Sequence, residues 1–224
     1  MNYRVIDGRI DYVTDDVGLR GSEVFRISVH ADGSRSLRAC CEMHDEVLIR
    51  DVFLSVDANF APLNAHVHLM VEGRFVGTGH YLFAPDAVSF HGRQRGQPIV
   101  SDHVALPDAA PSFGSHSVQN DAWAYGAFDR CRGDSEEFVM RGIPVTSTLP
   151  NGADGPAVVV AEHRHRFLGE TTVTTAAGRF DCRHYQFVFD EWPAIDYWVY
   201  GPDYLLVKCR WDLLRQTYEL VELS

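Results

Sequence analysis

Three histidines fall close together in the stretch NAHVHLMVEGRFVGTGHY, residues 64–81. His66 and His68 are two positions apart, so on a strand both imidazoles point to the same side of the sheet. His80 follows on the next predicted strand, where it can lie across from this pair. An imidazole titrates near neutral pH and can transfer a proton. We therefore predict catalytic roles for these histidines if their face lines a cavity, and solvent exposure otherwise.

The same histidines allow a metal site as an alternative. An HxH pair on a strand can present two imidazoles to one ion, and Glu72 or His80 can complete a catalytic ligand set. The glycine and carboxylate spacing of cupins does not follow the pair. A histidine-ligated metal enzyme is thus the second alternative, and we expect no metal or other cofactor.

A second cluster of polar and aromatic residues occurs in SFGSHSVQNDAWAYGAFD, residues 112–129. His116 precedes a predicted helix, whose N-terminus favours a neutral imidazole. His116 and Asp121 are predicted catalytic residues, and Trp123 and Tyr125 are predicted to contact a ligand. The competing interpretation is a capping loop followed by an amphipathic helix whose aromatic side chains pack on a sheet.

The helix is predicted from about residue 115 to 131. Ser115 or Ser117 is a suitable N-cap, and Gly133 is a suitable terminator. One face of this helix carries side chains at spacings of three and four; they are Val118, Ala122, Tyr125 and Asp129.

Further candidates lie on the later strands. In HRHRF, residues 163–167, alternation places His163 and His165 on one face and the two arginines on the other. Two arginines on one face of a strand indicate that this face is exposed to solvent. His165, on the opposite face, is therefore predicted to point inward and contact a ligand. His184 and Trp198 are added to this predicted ligand-binding set.

The elements that position these residues are mainly β-strands. From residue 3 to about 106 the apolar residues alternate with polar ones and turn residues recur at short intervals, including the Asp32-Gly33 hairpin signal. Strands resume after Glu136. About ten or eleven strands and one helix predict an all-β antiparallel meander, forming an open or closed barrel around the helix, within a single domain of residues 1–224.

Composition excludes several classes of function. The chain has 224 residues, 46% of them hydrophobic, and a formal net charge of −11, which disfavours nucleic acid and anionic membranes as partners. No signal-peptide pattern and no apolar run of about 20 residues is present, so we expect a cytoplasmic location without membrane insertion. The five cysteines lack CxxC spacing. A homodimer is compatible with the sequence.

Common catalytic motifs are missing from the sequence. It contains no GxSxG elbow, P-loop, HExxH helix or kinase signature, and no GxGxxG follows a strand. Phosphate-driven and nicotinamide-dependent chemistry therefore have no support.

The C-terminal quarter resembles a family of bacterial domains allied with the lipoprotein-carrier (LolA/LolB-like) half-barrels. The resemblance depends on the turn AAGRF at Ala176–Phe180, the strand DCRHYQF, the hairpin WVYGPDYLLVK and the closing YEL at Tyr218–Leu220. It implies an open antiparallel barrel around a helix, with an apolar cavity able to hold a lipid-like ligand. It implies no catalytic motif.

These observations favour a protein that binds a hydrophobic small molecule, such as an isoprenoid, a steroid-like or an aromatic compound. The 13 Phe, 9 Tyr and 4 Trp residues suit such a cavity. We expect cofactor-independent acid–base chemistry of the isomerase, cyclase or lyase type. The alternative is a non-catalytic carrier that needs the same cavity but no proton-transfer groups.

Overall fold

A computed structural model describes residues 3–224. All of its strands belong to one antiparallel sheet of 14 strands, and one α-helix completes the fold. The strands are β1 (Tyr3–Thr14), β2 (Gly18–His30), β3 (Arg35–Met43), β4 (Leu48–Val56), β5 (Pro62–Val71), β6 (Arg74–Ala84), β7 (Ala87–Gln94), β8 (Val100–Ala105), β9 (Glu137–Val145), β10 (Val159–Thr175), β11 (Gly178–Val188), β12 (Ile195–Tyr200), β13 (Leu205–Trp211) and β14 (Gln216–Leu223). The helix is α1 (Val118–Arg132), and a short 3-10 turn, Asp212–Leu214, joins β13 to β14.

The sheet consists of two meanders joined by one pair of strands that are not sequence neighbours. Strands β1 to β8 pair with their sequence neighbours, as do β9 to β14, and β1 pairs with β14 to join the two series. The sheet edges are therefore β8 and β9, and α1 lies in the connection between them. The prediction of an open or closed antiparallel barrel around one helix is confirmed, and the structure has the open form.

The strand count differs from the prediction of about ten or eleven. The boundary between the strands of His68 and His80 is where the sequence places it. At Glu72-Gly73 both residues have positive φ, 50° and 65°, and the chain reverses there between β5 and β6.

A loop covers the gap between the two sheet edges. The Tyr81 hydroxyl donates to the Ala157 carbonyl at 2.8 Å, and the Gln94 amide donates to the Asp154 carbonyl at 3.2 Å. At Gly77, an added Cβ would lie 2.6 Å from Pro156 Cδ, so only glycine permits this approach. The residue 146–158 loop thus packs against β6 and β7 across the opening.

Local chemistry determines the ends of α1. Ser117 is the N-cap, with extended backbone, and its Oγ accepts from the Asn120 N–H at 3.2 Å. Gly133, at φ 58°, ends the helix. The helix begins at Val118 and not at residue 115, because His116 has φ 61° and cannot continue a right-handed helix.

The helix is enclosed on nearly all sides, which corrects the expectation of an amphipathic helix. Residues 122–128 are all buried, as are Gln119 and Asn120. Gly126 allows Phe60 to approach, since an added Cβ would lie 2.4 Å from that ring. On the side away from β9, the Trp123 indole donates to the Asp203 carbonyl at 3.1 Å. A helix inside a curved sheet has no solvent face, so its sequence loses the usual alternation.

A buried carboxylate on β2 anchors the first turn of α1. Glu23 has no exposed surface. Its Oε1 accepts from the Ser117 hydroxyl at 2.8 Å and the Gln119 N–H at 3.1 Å, while its Oε2 accepts from the Val118 N–H at 2.8 Å. The Tyr12 hydroxyl and the Cys41 thiol also donate to Oε2, at 2.9 and 3.2 Å. The free N–H groups that begin every helix are thereby satisfied by a charge from the sheet.

We predict that Glu23→Gln destabilises the fold by at least about 3 kcal/mol, because the amide NH₂ would face donors and leave several buried groups unpaired. The measurement is urea unfolding followed by circular dichroism. Glu162→Gln is the matched control: Glu162 is exposed and pairs with the exposed Arg141 at 3.1 Å, so its loss should cost under about 1 kcal/mol. Equal effects of the two substitutions would contradict the anchoring role of Glu23.

Candidate functional site

A cavity of about 980 Å³ lies between α1 and the half of the sheet formed by β9–β14. The helix presents Val118, Asp121 and Tyr125 to it, three residues that share one face at intervals of three and four. Aromatic side chains form much of the opposite wall; they are Phe187, Phe189, Tyr197, Trp211 and Tyr218. The predicted apolar cavity is therefore present, and it occupies one side of the helix.

The rim of the cavity is apolar and exposed. Leu149, Trp192 and Leu214 all line it, with exposed fractions of 43%, 53% and 41%. The cavity therefore reaches solvent between the residue 146–158 loop and the segments that follow β11 and β13. A molecule can enter there past hydrophobic side chains.

Asp121 is an acidic side chain inside this cavity. Burial raises the pKa of its carboxyl to about 7, the nearby Glu23 carboxylate raises it further, and Arg50 acts in the opposite direction. The Asp121 side chain is half-buried, and no hydrogen bond contributes to this shift. A carboxyl in this state can gain or lose a proton near neutral pH.

Tyr125 and His165 are two further side chains of the cavity that carry polar atoms. Tyr125 is one turn after Asp121 on α1, and its ring centroid lies 5.1 Å from that of His165 on β10. Tyr125 is 1% exposed and His165 is 3% exposed. Among residues 3–224, the Tyr125 hydroxyl and both His165 ring nitrogens have no hydrogen-bond partner. Burial, with a smaller effect of His163, holds the pKa of His165 well below its ordinary value, so the imidazole is neutral.

His116 has a different environment, although it also lines the cavity. Its Nε2 lies 2.9 Å from the Leu149 carbonyl and its Nδ1 lies 3.2 Å from the Thr146 hydroxyl. The carbonyl requires a donor, so Nε2 carries the proton and Nδ1 accepts. Burial and Arg50 lower the pKa of His116 to about 4. Both nitrogens therefore connect the helix-entry loop to the residue 146–158 loop, and the expected neutral imidazole is held by protein partners.

The positive side chains of the lining are paired with acids. Arg20 contacts Asp45 and Glu46 at 3.2 and 2.7 Å. Arg164 pairs with Asp190 and lies 3.7 Å from Glu137. Neither guanidinium offers an uncompensated charge to a bound molecule.

The first histidine cluster lies outside the cavity, which corrects the expectation for those residues. His66 and His80 are exposed on the outer face of the sheet, while Ala65 and Val67 point to the core. His68 is half-buried on the same outer face. Strand alternation decides this, because the apolar set fills the interior and leaves the imidazoles outside. His66 and His80 are cross-strand neighbours, with ring centroids 6.0 Å apart.

The metal alternative gains no support from these positions. Within residues 3–224, no three His, Cys, Asp or Glu side chains are grouped so that they could hold one ion. The Nε2 of His66 instead lies 2.9 Å from the Thr78 hydroxyl.

Three predicted ligand contacts are also placed elsewhere. Trp123 is buried on the far side of α1, against Phe60. His184 and Trp198 stack on each other on the outer face, with ring centroids 4.6 Å apart. His184 Nε2 lies 2.7 Å from Asp196 Oδ1. Of the predicted residues, the structure brings His116, Asp121, Tyr125 and His165 to the cavity.

Sequence reasoning missed Glu23 and the wall formed by Tyr197, Trp211 and Tyr218. A signal for Glu23 exists: it shares the apolar face of β2 with Phe25 and Ile27, where a charge demands a partner. The wall residues carry no comparable signal, since aromatic residues are common on all the last strands.

Comparisons with known proteins establish only the fold. No family model and no curated protein sequence matches the chain. A β-barrel-like protein of the domain of unknown function DUF1849, from Brucella abortus, superposes with a TM-score of 0.58 at 11% identity, covering 99% of this chain and 96% of that one. The predicted β-barrel-like architecture of the family resemblance is supported by this similarity.

More distant similarities have TM-scores below 0.5 and do not establish a shared fold. A DUF1089 family protein from Pseudomonas aeruginosa gives 0.46 at 12% identity, covering 83% of this chain and 87% of that one. A protein of Parabacteroides distasonis provisionally described as a lipoprotein gives 0.35 at 10% identity, covering 98% and 94%. The finer assignment to the lipoprotein carriers stays a prediction. In the described part of the chain, no helix has the length and hydropathy needed to cross a bilayer.

We predict that Asp121→Asn changes the pH dependence of stability. The raised pKa means that the folded protein binds this proton more tightly than the unfolded chain, so wild-type stability is lost as pH rises from about 4 to about 7. Asp121→Asn has no titrating group at this position and lacks this loss. The free energy of unfolding of the variant, relative to that of wild type, should rise across that range by about 2–4 kcal/mol and stay constant above it.

The measurement is urea unfolding of both proteins at several pH values, and the difference between them cancels the titration of the histidines. Asp108→Asn, at an exposed position, controls for the removal of one charge. A difference between wild type and Asp121→Asn that does not vary with pH would show that the carboxyl is solvated normally.

Proposed function

We propose that this protein binds a hydrophobic small molecule in the cavity beside α1. The observation that carries the proposal is the group of polar atoms on Tyr125, His165 and Trp211 that have no partner within residues 3–224, in a cavity with a largely aromatic wall. Buried polar atoms in folded proteins nearly always have partners, because each missing hydrogen bond costs free energy. A ligand that supplies these partners explains why the atoms are retained.

The shape and surface of the cavity agree with this proposal. Its volume of about 980 Å³ lies at the upper end of the usual range for ligand pockets, and a few polar groups among aromatic walls are typical of such sites. The apolar rim at Leu149, Trp192 and Leu214 supplies a route of entry for a poorly soluble molecule. A carrier or sequestering protein needs nothing more than these features.

Acid–base catalysis is the second candidate, and Asp121 is the observation that favours it. A carboxyl whose pKa is about 7 can remove a proton from a bound ligand and return it at another atom, as an isomerase, cyclase or lyase requires. The neutral His165 could then donate or accept a hydrogen bond at the ligand's polar group. In this proposal Asp121 is the catalytic residue, and turnover by wild type but not by Asp121→Asn would support it.

A cytoplasmic location and a homodimer stay predictions. Neither is needed for the binding function, since every wall of the cavity comes from one chain.

We predict that the neutral fluorescent probe N-phenyl-1-naphthylamine binds wild type with a stoichiometry near one and gains fluorescence on entering the apolar cavity. Ala161→Phe should weaken binding by about 10-fold or more, because Ala161 lines the cavity and the added ring would occupy ligand space. The measurement is a fluorescence titration at fixed protein concentration.

Val160→Phe is the matched control for that titration. Val160 is the preceding residue on the same strand, is 43% exposed and does not line the cavity. It should bind the probe as wild type does. Equal binding by all three proteins would place the probe elsewhere and contradict the proposed site.

A further inference from the structure

We infer that the ligand of this cavity is a hydrophobic primary amine whose ammonium group pairs with Asp121 and also donates to Tyr125 and His165. This inference rests on the proposed binding function and specifies the chemical class of the ligand. Three features of the site support it: its charge, its pattern of hydrogen-bonding atoms, and its aromatic walls.

The charge around Asp121 favours a cation. Glu23 adds a second carboxylate nearby, and its own oxygens are occupied by the helix N-terminus. Arg50 is the positive group that acts on Asp121, but its guanidinium already donates to the backbone carbonyls of His116 and Asn151. Together with the paired Arg20 and Arg164, this leaves no free positive charge for a carboxylate or phosphate ligand. Such anions would meet net repulsion at Asp121.

The unpartnered atoms match the donors of an ammonium group. A primary ammonium has three N–H donors. The cavity offers the Asp121 carboxylate, the Tyr125 hydroxyl oxygen and the acceptor nitrogen of the neutral His165, and within residues 3–224 the Tyr125 and His165 atoms have no hydrogen-bond partner. Asp121 and Tyr125 are one turn apart on one helix face, and Tyr125 contacts His165 edge to face. All three side chains therefore line the same cavity, and we expect one ammonium group to bridge them.

The walls suit both ends of such a molecule. Ring faces attract cations, most strongly when water is excluded. Burial raises the phenol pKa values of Tyr125, Tyr197 and Tyr218, and the charge of Asp121 is among the smaller causes that raise them. An apolar tail can extend over Phe187 and Trp211 toward the hydrophobic rim. A small hydrophilic amine would leave most of this surface without contacts.

The site should bind amines more tightly as the pH rises through neutrality. Burial lowers the pKa of His116 and of His163 to about 4 and holds that of His165 well below its ordinary value, so these imidazoles stay neutral across this range. Burial also raises the pKa values of Tyr125, Tyr197, Tyr218 and Cys209. Two charged side chains act on Asp121, and both are held in hydrogen bonds; they are Glu23 and Arg50. Asp121 is thus the group whose ionisation prepares the site, and an alkylamine stays protonated to about pH 10.

The test compares three probes of equal chain length: octylamine, 1-octanol and octanoate. Each displaces N-phenyl-1-naphthylamine from wild type at pH 7.5, and the fluorescence loss gives its affinity. We expect octylamine to bind about 10-fold or more tightly than 1-octanol, as a charge-assisted hydrogen bond provides, and octanoate to bind most weakly. Octylamine affinity should also increase from pH 5.5 to 8.

Asp121→Asn should abolish the preference for octylamine over 1-octanol and remove the pH dependence of octylamine binding. Asp108→Asn is the matched control, because Asp108 is exposed and does not line the cavity. It removes one negative charge outside the cavity and should keep the preference.

The outcomes separate this inference from the binding function on which it rests. If 1-octanol displaces the probe as well as octylamine does, or if Asp121→Asn keeps the amine preference, the amine inference is wrong while the hydrophobic cavity remains supported. If octanoate binds best, the charge argument is wrong. If none of the probes displaces the dye and the dye itself does not bind, both proposals fail.

Discussion

The capping of α1 by Glu23 is the interaction on which the arrangement of this molecule depends. A helix enclosed by a sheet cannot satisfy its first N–H groups with water, and Ser117 alone satisfies only one of them. Glu23 supplies the missing acceptors from β2 and determines where the helix begins and how it is rotated. With the helix in that orientation, Asp121 and Tyr125 face the cavity, while Trp123 packs on Phe60 and donates to the Asp203 carbonyl. The side chains that α1 presents to the cavity thus depend on how its first turn is held.

The two sides of the helix have separate roles. Away from the cavity, Trp123 packs on Phe60, and Gln119 exchanges hydrogen bonds with the backbone of Tyr204 and Leu206 in the β12–β13 hairpin. On the cavity side, the side chains leave space, and several polar atoms within residues 3–224 lack partners. Rigid packing on one side holds the helix in place, so the other side can remain incompletely filled. A protein that binds by this cavity can therefore change its ligand without losing the contacts that maintain the fold.

The sequence predicts local features well and long-range ones poorly. The ends of α1 follow from Ser117 and Gly133, whose effects act within a few residues, and the strands follow from alternation. Glu23 was missed because its partners, Val118 and Gln119, are distant in the chain. The sequence does show that Glu23 shares a strand face with the apolar Phe25. Alternation places His66 and His68 on the same face of the sheet. Only the packed core of the folded chain shows that this is the outer face. The sequence places Asp121 on the helix and His165 at an inward-facing strand position. Both side chains line the cavity because these two elements form as predicted.

The pairing of β1 with β14 has a consequence for how the chain is made. Strands β1 to β8 form hairpins between sequence neighbours, which close quickly, whereas residues 8–14 of β1 pair with residues 216–223 of β14, about 200 positions later. A nascent chain that has emerged only as far as β8 therefore carries an open β1 edge and a Glu23 without its helix. The helix reaches Glu23 when α1 has been made, but the β1 edge stays open until β14 has been made. We therefore expect the incomplete sheet to associate with other chains more readily than the complete one.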